Sequence, residues 1–412
     1  MTTTKTQSSK SQMQGNNALS QGSSALMWTI LFVAFIQLSH FAIMPGIDLI
    51  AREIFPERSL QDIQTAMSLP NIISLITGVT AAMLVRYGLT SKRTMVLVGL
   101  MFAALTGFLA LAFHTHFWHL CLMNASLGAG MGFYIPNIQS IMFDNFDENR
   151  RRFLAGFQAA FNNGGAIILS IAAGLLVAVV WYGGHLVTLA ALPVLILSFI
   201  TIPKDKKIRP SASEDDARTK IPGGVYYSTL LIFVFMIVYN VAGMNISTHI
   251  AYGNIGNSAT AGVALALMMA GGVVAGLVFP KLSQIFYDYL FPLSFVLLFI
   301  GFSLMNLFPA SLIMTLAAMA LCGASLSLFM PRCFFNTSNL TDPTNSATAT
   351  MLIACIAPGG GSFLSPVIMT NLTMLLGGDS TQFRYQFTAF VCLVLAVLTF
   401  IKSRSDGKNA AL

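Results

Sequence analysis

Apolar residues run along this chain in blocks of about twenty, from Leu26 to Ile401, with short polar segments between them. A block of that length crosses a hydrocarbon core about 30 Å thick as a helix. The pattern predicts twelve spans, over residues 25–50, 63–85, 94–113, 117–142, 153–181, 185–202, 225–248, 259–280, 290–307, 310–332, 346–375 and 384–402. Composition agrees: 55% of the 412 residues are hydrophobic and 9% charged, where a soluble domain carries roughly a quarter charged. The expected class is an all-α integral membrane protein.

Lys and Arg set the orientation, because cytoplasmic loops retain them. With the N-terminus inside, 19 of the 22 fall on the inner side; Arg52, Arg58 and Arg384 fall outside. The imbalance suits an even number of spans in a plasma or inner membrane, with both termini cytoplasmic. The net charge of +7 is spread over many short loops, which fits anionic lipid headgroups and argues against a nucleic-acid surface. All five cysteines lie in or at the ends of apolar blocks, so neither a disulfide framework nor a metal site is expected, and no cofactor is implied.

Residues 1–24, rich in Ser, Thr and Gln, read as a disordered cytoplasmic tail. The longest polar segment inside the chain, "PKDKKIRPSASEDDARTKIPGG" at 203–224, mixes both charge signs with Pro, Ser and Gly and reads as a cytoplasmic linker. It separates a six-helix half at 25–202 from a second at 225–402, followed by a tail at 403–412. Sliding the chain on itself by 195 positions relates the halves. Gly128 meets Gly323, Tyr134 meets Phe329 and Pro136 meets Pro331, in "LGAGMGFYIPNIQ" and "CGASLSLFMPRCF". At the same offset Gly164 and Gly165 meet Gly359 and Gly360, and Arg86 meets Lys281. The glycines predict close, sliding helix contacts; Pro136 and Pro331 predict kinks at the inner ends of spans 4 and 10, where a gate can close.

Three stretches carry a family resemblance. "AAMLVRYGLTSKR" at 81–93 resembles the signature G-x-x-x-D-R-x-G-R-R/K of the major facilitator superfamily. Arg86, Gly88, Lys92 and Arg93 fit, while Ala81 and Val85 replace its Gly and Asp. "NASLGAGMGFYIP" at 124–136 is similar to the span 4 signature R-x-x-x-G-x-G through Gly128 and Gly130, with Asn124 at the Arg position. "GAIILSIAAG" at 165–174 resembles the span 5 pattern of drug and proton antiporters, departing at Leu169, Ser170 and Ala173. The resemblance implies two pseudo-symmetric halves around a cavity lined by spans 1, 4, 7 and 10, with Arg86, Gly88 and the paired glycines and prolines as gate or hinge residues.

Polar groups at mid-membrane are costly and therefore mark sites. No Asp or Glu lies near the middle of a span. His40 is the one mid-span group that titrates near neutral pH, fit to bind substrate or carry a coupling proton. Gln158 and Asn162 share a helix face, with Asn163 adjacent; Tyr239, Asn240 and Asn245 cluster in span 7. Arg332 and its offset partner Asn137 mark where the halves differ. The plainer alternatives are interhelical hydrogen bonding for the amides and an inner-surface anchor for Arg332. His114, His116 and His119 match no closed zinc spacing; they, His185 and His249 are predicted to lie outside.

These features predict a monomeric secondary transporter that moves a small organic solute by alternating access, with protons as the candidate coupling ion. Sparse buried charge favours a neutral, amphipathic or monoanionic solute. Proton-coupled drug or metabolite efflux is the alternative mode, and a non-transporting membrane sensor the alternative class. An enzyme would need convergent catalytic groups, and an ATP-driven pump a G-x-x-x-x-G-K-[ST] motif; the sequence has neither.

Overall fold

The computed structural model describes residues 23–204, 222–340, 349, 351–378 and 380–409. The parts of the expected tails and linker at 1–22, 205–221 and 410–412 lie outside these residues. Among the described residues, twelve long helical segments follow one another: α1 (Ser24–Ile54), α2 (Leu60–Arg86), α3 (Lys92–Ala112), α4 (Phe117–Asn145), α5 (Glu148–Val177), α6 (Gly183–Thr201), α7 (Gly223–Tyr252), α8 (Ser258–Phe286), α9 (Leu290–Leu307), α10 (Leu312–Leu340), α11 (Leu352–Leu375) and α12 (Thr381–Asn409). Eleven contain stretches long and apolar enough to cross a membrane. The exception, α4, has the length, but Asn124, Tyr134, Pro136, Asn137 and its glycines dilute its hydropathy. Residues 403–409 continue α12 instead of starting a tail, because no helix breaker precedes them and Ser403 is buried. The end where α1 and α7 begin is called the terminal end below, and the opposite one the far end.

The internal repeat is carried in backbone as well as in sequence. Helices α4 and α10 begin at Phe117 and Leu312, which keep the 195-residue offset. A Cβ on Gly128 would sit 2.7 Å from the Pro70 backbone in α2, and one on Gly323 would strike the Met268 carbonyl in α8. Each glycine thus lets the fourth helix of its half touch the second. Gly130 does the same against α3, where its Cβ would lie 2.7 Å from the Gly99 carbonyl. Pro136 and Pro331 sit inside α4 and α10, which continue beyond each to Asn145 and Leu340.

The second glycine pair is less regular. Gly165 lets α5 close on the Phe35 carbonyl of α1, whereas a Cβ on Gly164 would meet nothing within 4 Å. In the second half the equivalent contact belongs to Gly361, whose Cβ would lie 2.5 Å from the Phe233 carbonyl of α7. Gly360 faces the Phe233 ring, and Gly359 faces the other half, where a Cβ would lie 3.3 Å from the Asn71 carbonyl of α2. The one-residue slip has the size that a single π turn absorbs, and α11 opens on one at Leu352–Ile356. The halves also meet where Gly174 of α5 faces Gly262 of α8.

At the terminal end, Gly88 takes φ 66° and ends α2. The Gly88 N–H bonds the Val85 carbonyl at 3.0 Å and the Leu89 N–H the Leu84 carbonyl at 3.0 Å, a Schellman closure that needs a residue without a Cβ. The basic pair that follows ties the loop down: Lys92 reaches Asp144 at 2.5 Å, and Arg93 donates to the Phe199 carbonyl at 2.7 Å.

Candidate functional site

Helix α1 is irregular midway along its length. It is α-helical over Ser24–Ile36, turns 3-10 over Ser39–Gly46 and finishes as a π turn over Ile50–Ile54. Pro45 has no N–H to donate and Gly46 is a poor helix former, so regular α-winding is weakened there. The 3-10 stretch packs against α5 and α6 of its own half and against α7 and α8 of the other. His40 lies in it, half-buried, its ring 4.4 Å from that of Phe41. Its Nδ1 is buried and has no hydrogen-bond partner among the described residues.

Two further unpartnered polar atoms lie on α5, beside α1. Gln158 is buried and its Nε2 is unmatched, as is the Oδ1 of half-buried Asn162, one turn later. Helices α1 and α5 run parallel, with Gly165 at Phe35 and Val177 at Gly46, so Gln158, Asn162 and His40 rise in that order from the terminal end. In the second half, Asn240 of α7 donates to the Ser362 hydroxyl of α11 at 2.9 Å. It is near the level of His40, because Met44 faces Gly243 three residues further along α7. Asn163 and Asn137 instead donate to carbonyls of their own helices, Ala159 at 2.9 Å and Phe133 at 2.8 Å. Tyr239 is in the core of the second half, near Phe235, which stacks on Phe329 at 3.9 Å. Arg332 is buried, its guanidinium 5.2 Å from the Phe335 ring, and Arg86 ends α2 exposed.

Toward the far end the halves are latched. Gln64 of α2 donates to the Met244 carbonyl at 2.9 Å and to Asn245 Oδ1 at 3.0 Å. Arg384 of α12 donates to the same oxygen at 3.3 Å. Ser247 Oγ donates to the Pro45 carbonyl at 2.8 Å and accepts from the Asp48 N–H at 3.2 Å. Arg52 pairs with Asp48 at 3.0 Å and covers the Tyr252 ring at 3.9 Å. Nearer the centre, Ser68 donates to the Phe363 carbonyl at 3.2 Å.

Several of these groups escape a reading of the sequence. Arg384, counted among the outer cations, is 2% exposed, because it falls in the first turn of α12 and faces α7. His185 and His249, also placed outside, are buried within the helices, and His249 meets Thr315 Oγ1 at 3.1 Å. His114 bonds the Ala110 carbonyl and stacks on Tyr182. Gln64, Ser362 and Gly361 carry no motif. The α1 interruption did have a signal, the Pro45–Gly46 pair inside an apolar block. Among the described residues, no group of three or more His, Cys, Asp or Glu could hold a metal.

Comparison with known proteins accords with this arrangement. The family profile described as Major Facilitator Superfamily matches residues 18–253. Similar solved structures include a peptide transporter, POT, in complex with sulfate (14% identity, 96% of this chain and 98% of that one, TM-score 0.76). The nucleoside transporter NupG, in a point-mutant form, is similar over 91% of this chain and 99% of its own at 12% identity, TM-score 0.75. The POT family transporter PepTSo aligns over 92% and 98% at 10% identity, TM-score 0.74. No curated protein sequence matches. With two related six-helix halves meeting around an interrupted first helix, the chain belongs to the Major Facilitator Superfamily: it is a multi-pass membrane protein and a secondary transporter of small-molecule substrates.

Proposed function

We propose that the transporter carries a small uncharged solute rich in hydrogen-bonding groups, bound at mid-membrane between the 3-10 stretch of α1 and the Asn240–Ser362 pair. The observation that carries this reading is the pair of unpartnered polar atoms, His40 Nδ1 and Asn162 Oδ1. Polar atoms held away from water without partners are costly, and a bound solute would supply the partners. An interrupted helix where the two halves meet is where transporters place such sites. The matched structures include peptide and nucleoside transporters. A peptide's ammonium group would call for a carboxylate, and no Asp or Glu stands near the middle of a span; a nucleoside-like solute matches amides and an imidazole better.

In this reading the termini are cytoplasmic, the membrane is the plasma or inner membrane and the far end faces outside. The protein works as a monomer, with a site latched shut on the outside, and alternates by rocking one half against the other. His40 is the candidate for a coupling proton.

The test is a thermal-stability screen of purified protein against nucleosides, sugars, amino acids and dipeptides. A ligand at 100 times its Kd adds about 2.7 kcal/mol. Stabilisation by an uncharged solute that is lost in both His40→Ala and Asn240→Ala supports the reading. Stabilisation by dipeptides alone, or full retention in both variants, overturns it.

A further inference from the structure

The hydrogen bonds of Asn240 fix what it can offer a solute. Its Nδ2 donates to the Met236 carbonyl at 2.8 Å and to Ser362 Oγ at 2.9 Å. A carbonyl only accepts, so the atom facing Met236 is the nitrogen, and both of its hydrogens are committed. The group left for a solute is Oδ1, an acceptor. Ser362 accepts from Asn240, and its own proton goes to no acceptor among the described residues, so its hydroxyl is left to donate. An acceptor and a donor thus stand side by side, joined by one hydrogen bond. We propose, resting on the central site described above, that this pair reads a cyclic amide edge on the carried solute. The solute N–H donates to Asn240 Oδ1, and the adjoining C=O accepts from the Ser362 hydroxyl.

Asn245, further along the same helix, shows how such an oxygen is used. It too returns its Nδ2 to the carbonyl four residues back, that of Val241 at 2.9 Å, and its Oδ1 receives Gln64 at 3.0 Å and Arg384 at 3.3 Å. Asn240 repeats the anchor to its own helix, and neither of its two bonds uses the oxygen. The anchor also sets polarity, because an amide with both hydrogens tied down does not turn over to present its nitrogen.

A fixed acceptor selects solutes by what they carry opposite it. A carboxylate brings only acceptors and sets oxygen against oxygen. An ammonium brings only donors and leaves the Ser362 proton unmatched. A hydroxyl rotates to donate or accept and is read without preference, whereas a cyclic amide holds its donor and acceptor in fixed order. Asn240 and Ser362 are 5% and 8% exposed, so little water reaches a mismatch to repair it.

The test titrates purified full-length protein, followed by melting temperature, with three probes: uridine, uridine methylated at its base N–H, and methyl riboside, which lacks the base. Uridine is expected to bind at least about tenfold more tightly than its N-methyl form. In Asn240→Ala that ratio should fall to within about twofold. Ser362→Ala keeps the bond from Asn240 to Met236, so there uridine should weaken several-fold while the N-methyl penalty persists; this variant decides the matter if Asn240→Ala does not fold. Equal binding of uridine and its N-methyl form, methyl riboside binding as tightly as uridine, or no response to uridine overturns the amide edge. If another uncharged solute then stabilises the protein and is lost in His40→Ala and Asn240→Ala, the edge alone fails and the central site stands. A ligand that binds both of those variants as it binds the parent overturns the central site and the edge with it.

Discussion

Gln64 and Asn245 lie 181 residues apart in sequence and 3.0 Å apart in space, and their amides join the two halves of the transporter. Asn245 uses its Nδ2 on the Val241 carbonyl of its own helix, which turns its oxygen toward Gln64 and Arg384. Gln64→Leu removes one buried donor and with it the bonds to the Met244 carbonyl and to Asn245 Oδ1, a change worth about 1–3 kcal/mol. Since about 1.4 kcal/mol is a factor of ten, the far end should open several-fold to a hundredfold more often. The measurement is maleimide labelling at Met44→Cys, a position buried between the halves, with the five native cysteines replaced. Unchanged labelling would show that this bond does not hold the latch.

Adjacent glycines in α5 should behave in opposite ways. A Cβ at Gly165 would run into the Phe35 carbonyl, and one at Gly164 would meet nothing within 4 Å. Gly165→Ala is expected to cost about 1–3 kcal/mol through forced separation of α1 and α5, while Gly164→Ala stays within about 0.5 kcal/mol. Melting curves of the two single variants decide it; equal losses would mean that the close approach is relaxed in solution.

The Asn240–Ser362 bond joins α7 to α11 inside the second half. Ser362→Ala should free Asn240 Nδ2 from one partner without breaking its 2.8 Å bond to the Met236 carbonyl, so the fold should persist. Solute affinity should change by a few-fold to tenfold, and Asn240→Ala should lower it further. Binding isotherms of the two singles and the double variant give the coupling; strict additivity would place Ser362 outside the site.

At the terminal loop the backbone should matter more than the charges. The side chains of Lys92 and Asp144 are 27% and 50% exposed, and an exposed ion pair contributes at most about 1 kcal/mol. Asp144→Asn is therefore expected to shift stability by less than that, and by less still in high salt. Gly88→Ala should cost about 1–2 kcal/mol because φ 66° is strained for a residue with a Cβ. A larger effect from the ion pair than from the glycine would reverse this ranking.

Much of the architecture is legible in the sequence because it depends on local terms. Apolar block length marks the helices, and the Gly128–Gly323 coincidence marks the repeat, since both glycines answer the same steric demand within their own halves. The latch is legible only in space. Gln64, Asn245 and Arg384 are polar residues in apolar blocks, and nothing in their spacing tells which amide bonds its own helix and which crosses to the other half. Asn137 and Asn245 illustrate this: both return a hydrogen bond to the carbonyl four residues back, and only the second has Gln64 opposite. The offset argument also pairs Gly165 with Gly360, while contact pairs it with Gly361, because a fixed offset carries no information about a π turn.

The eight 3-10 residues of Ser39–Gly46 have a consequence for the length of α1. At about 2.0 Å per residue they span about 16 Å, where an α-helix would span about 12 Å. Rewinding them would draw Asp48 and Arg52 roughly 4 Å toward the terminal end and turn them by nearly half a revolution, away from Ser247 and Tyr252. In the proposed reading, the far-end contacts and the winding of the first helix are thus one mechanical variable: the helix is a screw thread whose pitch sets whether Asp48 and Arg52 meet Ser247 and Tyr252.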